Sequence, residues 1–303
     1  MTKPDYNSPS SLKDFMESRA MAMQKKFGQN FMLNEKARNT IIDQLELKEG
    51  DCVWEIGPGL GCMTDILLQR GACVSVFEID RGFIECLHDF FAPYEKEGKF
   101  KIIAGDCLKT WKTEFENLEK ENPKKLPKYL MGNLPYNIAA TFIADTITKG
   151  LNFEKCVFTV QKEVADRMAA KPGSENYSSF SVLCQWGYNV KSFLTLGPNN
   201  FWPKPNVASG AALMTKKEKT IPCEEPDFFI KLVHALFSSR RKTIHNNIKP
   251  LIPLKTDYDV WIYESGLSPQ VRAEELTVEQ LLTLSQNVLK GIMSQKGTIN
   301  AAK

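Results

Sequence analysis

Between residues 50 and 160 the chain alternates short apolar runs with longer amphipathic stretches. Five runs rich in β-branched and aromatic residues predict strands at 52–56, 73–79, 100–104, 129–132 and 155–160, each followed by turn residues or a helical stretch. Strands separated by helices imply right-handed crossovers and a mostly parallel sheet. Two later apolar runs, 188–196 and 207–214, are joined by the Pro- and Asn-rich GPNNFWPKPN and predict a hairpin that closes the sheet with an antiparallel edge. Beyond residue 219 the pattern changes to helices at 228–237, 242–251, 257–265 and 278–292, punctuated by Pro, Gly and Ser-Pro. The expected organisation is therefore a loose N-terminus (1–20), an α/β domain (21–218), a small all-helical domain (219–295) and a loose tail (296–303).

Composition narrows the class. At 303 residues, 43% hydrophobic and 25% charged, the chain reads as a soluble α/β protein, not a fibrous or disordered one. No apolar run approaches the roughly 18 residues of a membrane span. The N-terminus is polar and broken by Pro4 and Pro9, unlike a secretory signal, so a cytoplasmic protein with no membrane partner is expected. Eight cysteines and three histidines are scattered without metal-ligand spacing, which predicts reduced thiols acting as small hydrophobes and no metal site. No long coiled-coil repeat appears, and a monomer is expected.

The net charge of +3 hides an uneven distribution. Residues 199–250 hold nine Lys/Arg against four acids, a local +5 that leaves −2 for the rest. Within it, SSRRKTIHNNIK carries four cations and no acid. A second basic cluster, Gln24-Lys25-Lys26-Phe27-Gly28-Gln29-Asn30, lies near the N-terminus with its own aromatic. Both suit a polyanion.

Candidate chemistry starts at Glu55-Ile56-Gly57-Pro58-Gly59-Leu60-Gly61, directly after the first strand of the alternating region. Glycines there let the backbone turn sharply and approach a ligand beyond the strand's carboxyl end. Glu78 closes the second strand, placed to accept hydrogen bonds from ribose hydroxyls. To this point the pattern suits NAD or S-adenosylmethionine equally. Two details separate them: Cys62 stands where the dinucleotide fingerprint wants its third glycine, and Asp106 follows the third strand, placed to accept from the exocyclic amine of an adenine. Together the glycine loop, the ribose acid and the third-strand Asp resemble the class I S-adenosylmethionine-dependent methyltransferases.

The fourth strand ends in Gly132-Asn133-Leu134-Pro135-Tyr136-Asn137-Ile138, the most specific signal in the chain. An amide, a Pro-fixed turn and an aromatic at a strand end suit a planar base carrying an exocyclic amine. The N6 lone pair of adenine is delocalised and poorly nucleophilic. The Asn133 side-chain oxygen and a carbonyl at Leu134 or Pro135 would accept both N6–H bonds and favour the pyramidal nitrogen of the transition state. Tyr136 would stack on the base.

The longer matches QKKFGQNFM (24–32), EIGPGLG (55–61), FEID (77–80), GDCL (105–108), GNLPYNI (132–138), VQKEVADRM (160–168), FWPKPNV (201–207) and SSRRKTIHNN (238–247) make the chain resemble the small-subunit ribosomal RNA adenine N6,N6-dimethyltransferase family, across roughly residues 24–290. The resemblance implies a Rossmann-like, mostly parallel seven-stranded sheet with a small C-terminal helical domain. It implies dimethylation of N6 of two adjacent adenosines in the 3′-terminal hairpin loop of 16S rRNA, with a role in 30S subunit biogenesis. It implies that Asn30, Met32, Gly57, Gly59, Glu78, Asp106 and Asn133 line an S-adenosylmethionine site, that Phe201 closes on the face of the target adenine opposite Tyr136, and that Lys25, Lys26, Lys204, Arg240, Arg241 and Lys242 meet rRNA phosphate. Three positions depart from the family pattern: Met32 for Leu, Ala208 for an acid, and Tyr177-Ser178-Ser179-Phe180 without the usual Gly and Arg. The alternatives are the macrolide-resistance type that dimethylates one adenosine of 23S rRNA and a non-catalytic ribosome assembly factor on the same fold. An NAD-dependent dehydrogenase would need hydride-transfer residues that the sequence lacks.

Overall fold

A computed structural model describes the chain apart from residues 1, 22–28, 135–137, 150–152, 219–222, 224, 253–256 and 302–303, and apart from the side chains of 296–301. Lys25, Lys26, Pro135 and Tyr136 therefore lie outside the described residues. The chain divides into two compact units. The first comprises Met1–Asp145, Asn152–Asp166 and Val190–Lys216; the second comprises Thr146–Leu151, Arg167–Asn189 and Lys217–Lys303.

The first unit opens with a helix where the sequence pattern suggests a loose end. Helix α1 (Pro9–Ser18) starts with Pro at its first position, where a missing N–H costs nothing, and Ser8 caps it by accepting from the Ser11 N–H at 3.2 Å. Leu12 and Met16, one turn apart, are buried in the main core. Full burial of such side chains contributes roughly 1.5–3 kcal/mol each. Pro9, which reads as a breaker, marks a helix start.

After a two-residue strand β1 (Phe31–Met32) and α2 (Glu35–Asp43), strands and helices alternate: β2 (Cys52–Ile56), α3 (Cys62–Gln69), β3 (Cys73–Glu78), α4 (Arg81–Lys96), β4 (Phe100–Ala104), α5 (Cys107–Glu121), β5 (Tyr129–Asn133), α6 (Ala139–Thr148), β6 (Lys155–Gln161) and α7 (Lys162–Met168). Helix α8 (Ser179–Trp186) follows, then β7 (Tyr188–Leu196), β8 (Phe201–Trp202) and β9 (Ser209–Lys216). Seven strands form one sheet in the order β4-β3-β2-β5-β6-β9-β7, and β1 pairs with β8 in a separate two-stranded ribbon. The pairs from β4 through β6 are parallel and β9 runs antiparallel to β6, as the strand pattern predicted. Strand order reverses between β2 and β5, so their carboxyl ends flank the crevice where such sheets bind ligands. Gly132 sits at this junction because a Cβ there would stand 2.6 Å from the Ile56 carbonyl oxygen.

The second unit contains α9 (Pro226–Leu236), α10 (Ile244–Ile248), α11 (Asp259–Glu264) and α12 (Val278–Ala301). It also takes in residues 167–189, which the sequence reading had placed in the α/β domain. The reason is burial. Ala170, Tyr177 and Val182 belong to the helical core, and the fully buried Tyr177 hydroxyl donates to the Leu276 carbonyl at 3.0 Å. The departure at Ser178-Ser179 falls at the start of α8, where the Ser178 N–H donates to Ser181 Oγ. Helix α12 runs past residue 295 to Ala301, where a loose tail was expected. Among the described residues no helix is long and apolar enough to cross a membrane, and no three His, Cys, Asp or Glu side chains are placed to hold a metal.

Candidate active site

A cavity of about 300 Å³ opens at the carboxyl ends of the parallel strands. Asn30, Met32, Gly57, Gly59, Glu78, Asp106 and Asn133 all line it. These residues come from five stretches of the sequence: Gly57, Gly59, Glu78, Asp106 and Asn133 lie in loops or strand ends on one edge of the sheet, and Asn30 and Met32 come from the start of the separate β1–β8 ribbon. A parallel sheet sends all such ends one way.

The loop after β2 turns through positive φ at Gly57, Gly59 and Gly61 (66°, 58° and 82°). At Gly59 a Cβ would also meet the Phe31 ring at 2.9 Å, so only glycine keeps the loop at this distance from β1. The Gly59 N–H donates to Glu78 Oε2 at 3.1 Å. Glu78 Oε1 accepts from the Ile79 and Asp80 N–H groups, both at 2.8 Å. Three backbone donors thus hold a carboxylate that is only 5% exposed.

Burial pushes the Glu78 carboxyl up to about 7, against the pull of those backbone donors and with a further push from the Asp80 charge. Glu55, 2% exposed and also lining the cavity, is pushed up to about 7 by burial, with the Thr64 hydroxyl donating to it at 2.6 Å and the Glu78 charge adding to the rise. Both acids bind protons more tightly folded than unfolded, where they titrate near 4.5. The stability they lend is present below pH 4.5 and is lost as pH rises through about 7. A fold that keeps two such acids around one cavity carries a cost at neutral pH that a bound ligand can offset. Glu55 opens the glycine motif in the sequence but carries no expected role there; an acid next to last in an otherwise apolar strand is the signal that it faces a ligand.

Asp106 caps α5, accepting from the Leu108 N–H at 3.0 Å through one oxygen. Asn133, at the end of β5, is half-buried, and its Nδ2 donates to the Asn30 carbonyl at 2.8 Å. That contact spans 103 residues and fixes the amide's orientation, leaving Oδ1 as the acceptor. Leu134 is buried, with its N–H donating to the Thr159 carbonyl.

Phe201 lies behind this lining. Its ring is 1% exposed in the main core, where β8 pairs with β1 and Phe201 stands opposite Met32, and it is not among the cavity's lining residues.

The expected RNA contacts separate into two groups. Arg240 is already engaged: its Nε donates to Glu274 at 2.5 Å, and its other nitrogens donate to the Glu175 and Ser174 carbonyls. It therefore ties the 174–175 loop to residue 274 within the helical unit, with its side chain still 48% exposed. Lys204, Arg241 and Lys242 are exposed, with no ion-pair partner among the described residues.

Comparison with known proteins bears on this arrangement. The sequence profile of the family described as ribosomal RNA adenine dimethylase matches residues 20–290. A Treponema denticola protein named ribosomal RNA small subunit methyltransferase A is 43% identical over 288 residues, covering 94% of this chain and 96% of that protein. A Borreliella burgdorferi protein of the same name is 39% identical over 284 residues, covering 94% of this chain and 95% of its own. Among solved structures, a dimethyladenosine transferase from Plasmodium falciparum superposes with a TM-score of 0.71 at 25% identity, covering 85% of this chain and 96% of that one. The 23S rRNA methyltransferase ErmE shares the fold, with a TM-score of 0.61 at 19% identity over 84% of this chain and 98% of its own.

Proposed function

Since the chain belongs to the ribosomal RNA adenine dimethylase family and is an rRNA adenine dimethyltransferase, we propose that it acts on small-subunit rRNA, in the cytoplasm and within the assembling 30S subunit. There it dimethylates N6 of two adjacent adenosines in the 3′-terminal hairpin loop, with S-adenosylmethionine as the methyl source. The observation that carries this reading is the meeting of Glu78, Asp106 and Asn133 in one cavity at the switch in strand order, in a chain whose relatives are named for the small subunit.

The cavity suits that cofactor. An acid held by three backbone N–H groups, a glycine loop with no Cβ to crowd it, and the apolar Ile79, Phe83 and Leu108 offer a place for a ribose and a purine. Glu78 would hold the ribose hydroxyls and Asp106 the adenine amine, while Asn30, Met32 and Gly57 line the rest. When bound, S-adenosylmethionine supplies a sulfonium methyl for attack by N6. Asn133 prepares the nucleophile: its amide nitrogen is occupied by the Asn30 carbonyl, so Oδ1 accepts one N6–H. A carbonyl at Leu134 or Pro135 accepts the other. Both bonds strengthen as the nitrogen becomes pyramidal, which is where stabilisation lowers the barrier. No general base is needed, because the N6 proton becomes acidic as the new C–N bond forms. Tyr136, by its place in the motif, stacks on the base, a contact of roughly 1–3 kcal/mol.

The rRNA reading is tested by the exposed cations of the helical unit. Arg241→Ala with Lys242→Ala should weaken binding to small-subunit rRNA and lower the slope of log affinity against log salt by about 1.4–1.8, two phosphates' worth of released counterions. Affinity for S-adenosylmethionine should not change. A salt slope equal to that of the wild type would show that these cations are a solvated face and not a phosphate contact.

A further inference from the structure

The N-terminal residues 3–7 do more than lead into α1. Tyr6 donates its hydroxyl to the Leu60 carbonyl at 2.8 Å, inside the glycine loop, and burial holds its phenol far above the usual range. Lys3 bonds Asp65 in the first turn of α3 at 2.6 Å and lies 4.5 Å from the centre of the Phe91 ring. On the other side, Asn7 Oδ1 accepts from Arg38 at 2.7 Å. Arg38 is 3% exposed, and its other terminal nitrogen donates to the Met32 and Leu33 carbonyls at 2.6 and 2.9 Å. The same segment supplies the Asn30 carbonyl that orients Asn133. Residues 3–7 thus grip both the glycine loop and the 30–33 segment, two walls of the cavity, while neither Tyr6 nor Asn7 lines it.

Arg38 makes the second grip consequential. It has no carboxylate partner among the described residues, and its Nε has no hydrogen-bond partner. A buried cation this sparsely satisfied depends on each remaining oxygen. Without Asn7 the guanidinium gains by turning toward water and releasing the Met32 and Leu33 carbonyls.

We propose that residues 3–7 form a strap that sets the spacing of the cofactor cavity, with Tyr6 and Asn7 as positioning residues that govern affinity for S-adenosylmethionine without touching it. This rests on the cavity being the cofactor site. The test uses the full chain, with calorimetric titration of S-adenosylmethionine in the absence of RNA and amide hydrogen exchange at residues 59–61 of the free protein. Tyr6→Phe should weaken the affinity about threefold to tenfold, the effect of one lost hydrogen bond, and Asn7→Leu, which loses its bond to Arg38 and a longer one to Glu35 at 3.3 Å, by at least as much. Tyr6→Phe should also speed exchange in the loop. Turnover at saturating cofactor should stay at the wild-type rate in Tyr6→Phe, whose hydrogen bond reaches the glycine loop and not the Asn30 segment, and Asn7→Asp, which restores an acceptor for Arg38 but sets a carboxylate against Glu35, should restore the affinity in part. Wild-type affinity and exchange in both variants would overturn the strap. A wild-type protein that binds no S-adenosylmethionine would instead overturn the assignment of the cavity itself, and the strap's role with it.

Discussion

Replacing Asn133 by alanine should lower methyl transfer by roughly two to three orders of magnitude while weakening cofactor binding only modestly. The size follows from what the side chain does. One preorganised polar group aimed at charge developing in the transition state is worth about 10²–10³ in rate. Asn133 is preorganised because Nδ2 is held by the Asn30 carbonyl at 2.8 Å, which costs nothing further during the reaction. Asn133→Asp separates orientation from mere polarity. A carboxylate cannot donate to the Asn30 carbonyl, so the two oxygens repel, and the variant should be impaired although it keeps an acceptor. Single-turnover rates at saturating cofactor, set beside the cofactor affinity of each variant, measure this. Turnover near the wild-type rate in Asn133→Ala would remove the lone-pair argument.

Glu78→Gln should weaken binding of S-adenosylmethionine by about 10² or more, as expected for the loss of two hydrogen bonds to a charged acceptor at roughly 1.5–3 kcal/mol each. The substitution has a second effect. Glu78 accepts from Gly59, Ile79 and Asp80, and the amide of glutamine would set an N–H₂ group against at least one of these donors. The pH dependence gives an independent signature. Because burial pushes this carboxyl up to about 7, its ionised form declines below neutrality, and wild-type affinity should fall by up to about tenfold per pH unit below 7. The direction is opposite to the acid's effect on folding, where the protonated form is the stable one. Titrations from pH 5.5 to 8.5 should show this slope in the wild type and a much shallower one in Glu78→Gln, where Glu55 is the lining acid left with a raised carboxyl. Equal affinities at pH 8 would mean that Glu78 serves the loop and not the ligand.

The seven-stranded sheet was legible because each strand is a short β-branched or aromatic run bounded by turn residues, and buried parallel strands leave that signature. The cavity residues were legible for a related reason. Gly57, Gly59, Glu78, Asp106 and Asn133 all follow or end such strands, so finding the strands located them. Asn30 and Met32 came only from the family resemblance; the pairing of Phe31 and Met32 with Trp202 and Phe201 is too short to carry a period. The same shortness hid the burial of Phe201. Arg240 looked like a free cation because its partners, Ser174, Glu175 and Glu274, are between 34 and 66 residues away. Helix α1 was hidden by Pro4 and Pro9, of which Pro9 is a helix's first residue. Local pattern found what local physics decides, and long-range pairing decided the rest.

The most direct test of the account is methyl transfer from labelled S-adenosylmethionine to undermethylated 30S particles and, separately, to large-subunit rRNA, with nucleoside mass spectrometry of the products. The account predicts N6,N6-dimethyladenosine in small-subunit rRNA alone. Dimethyladenosine confined to large-subunit rRNA, or binding to 30S particles with no methyl transferred, would contradict it.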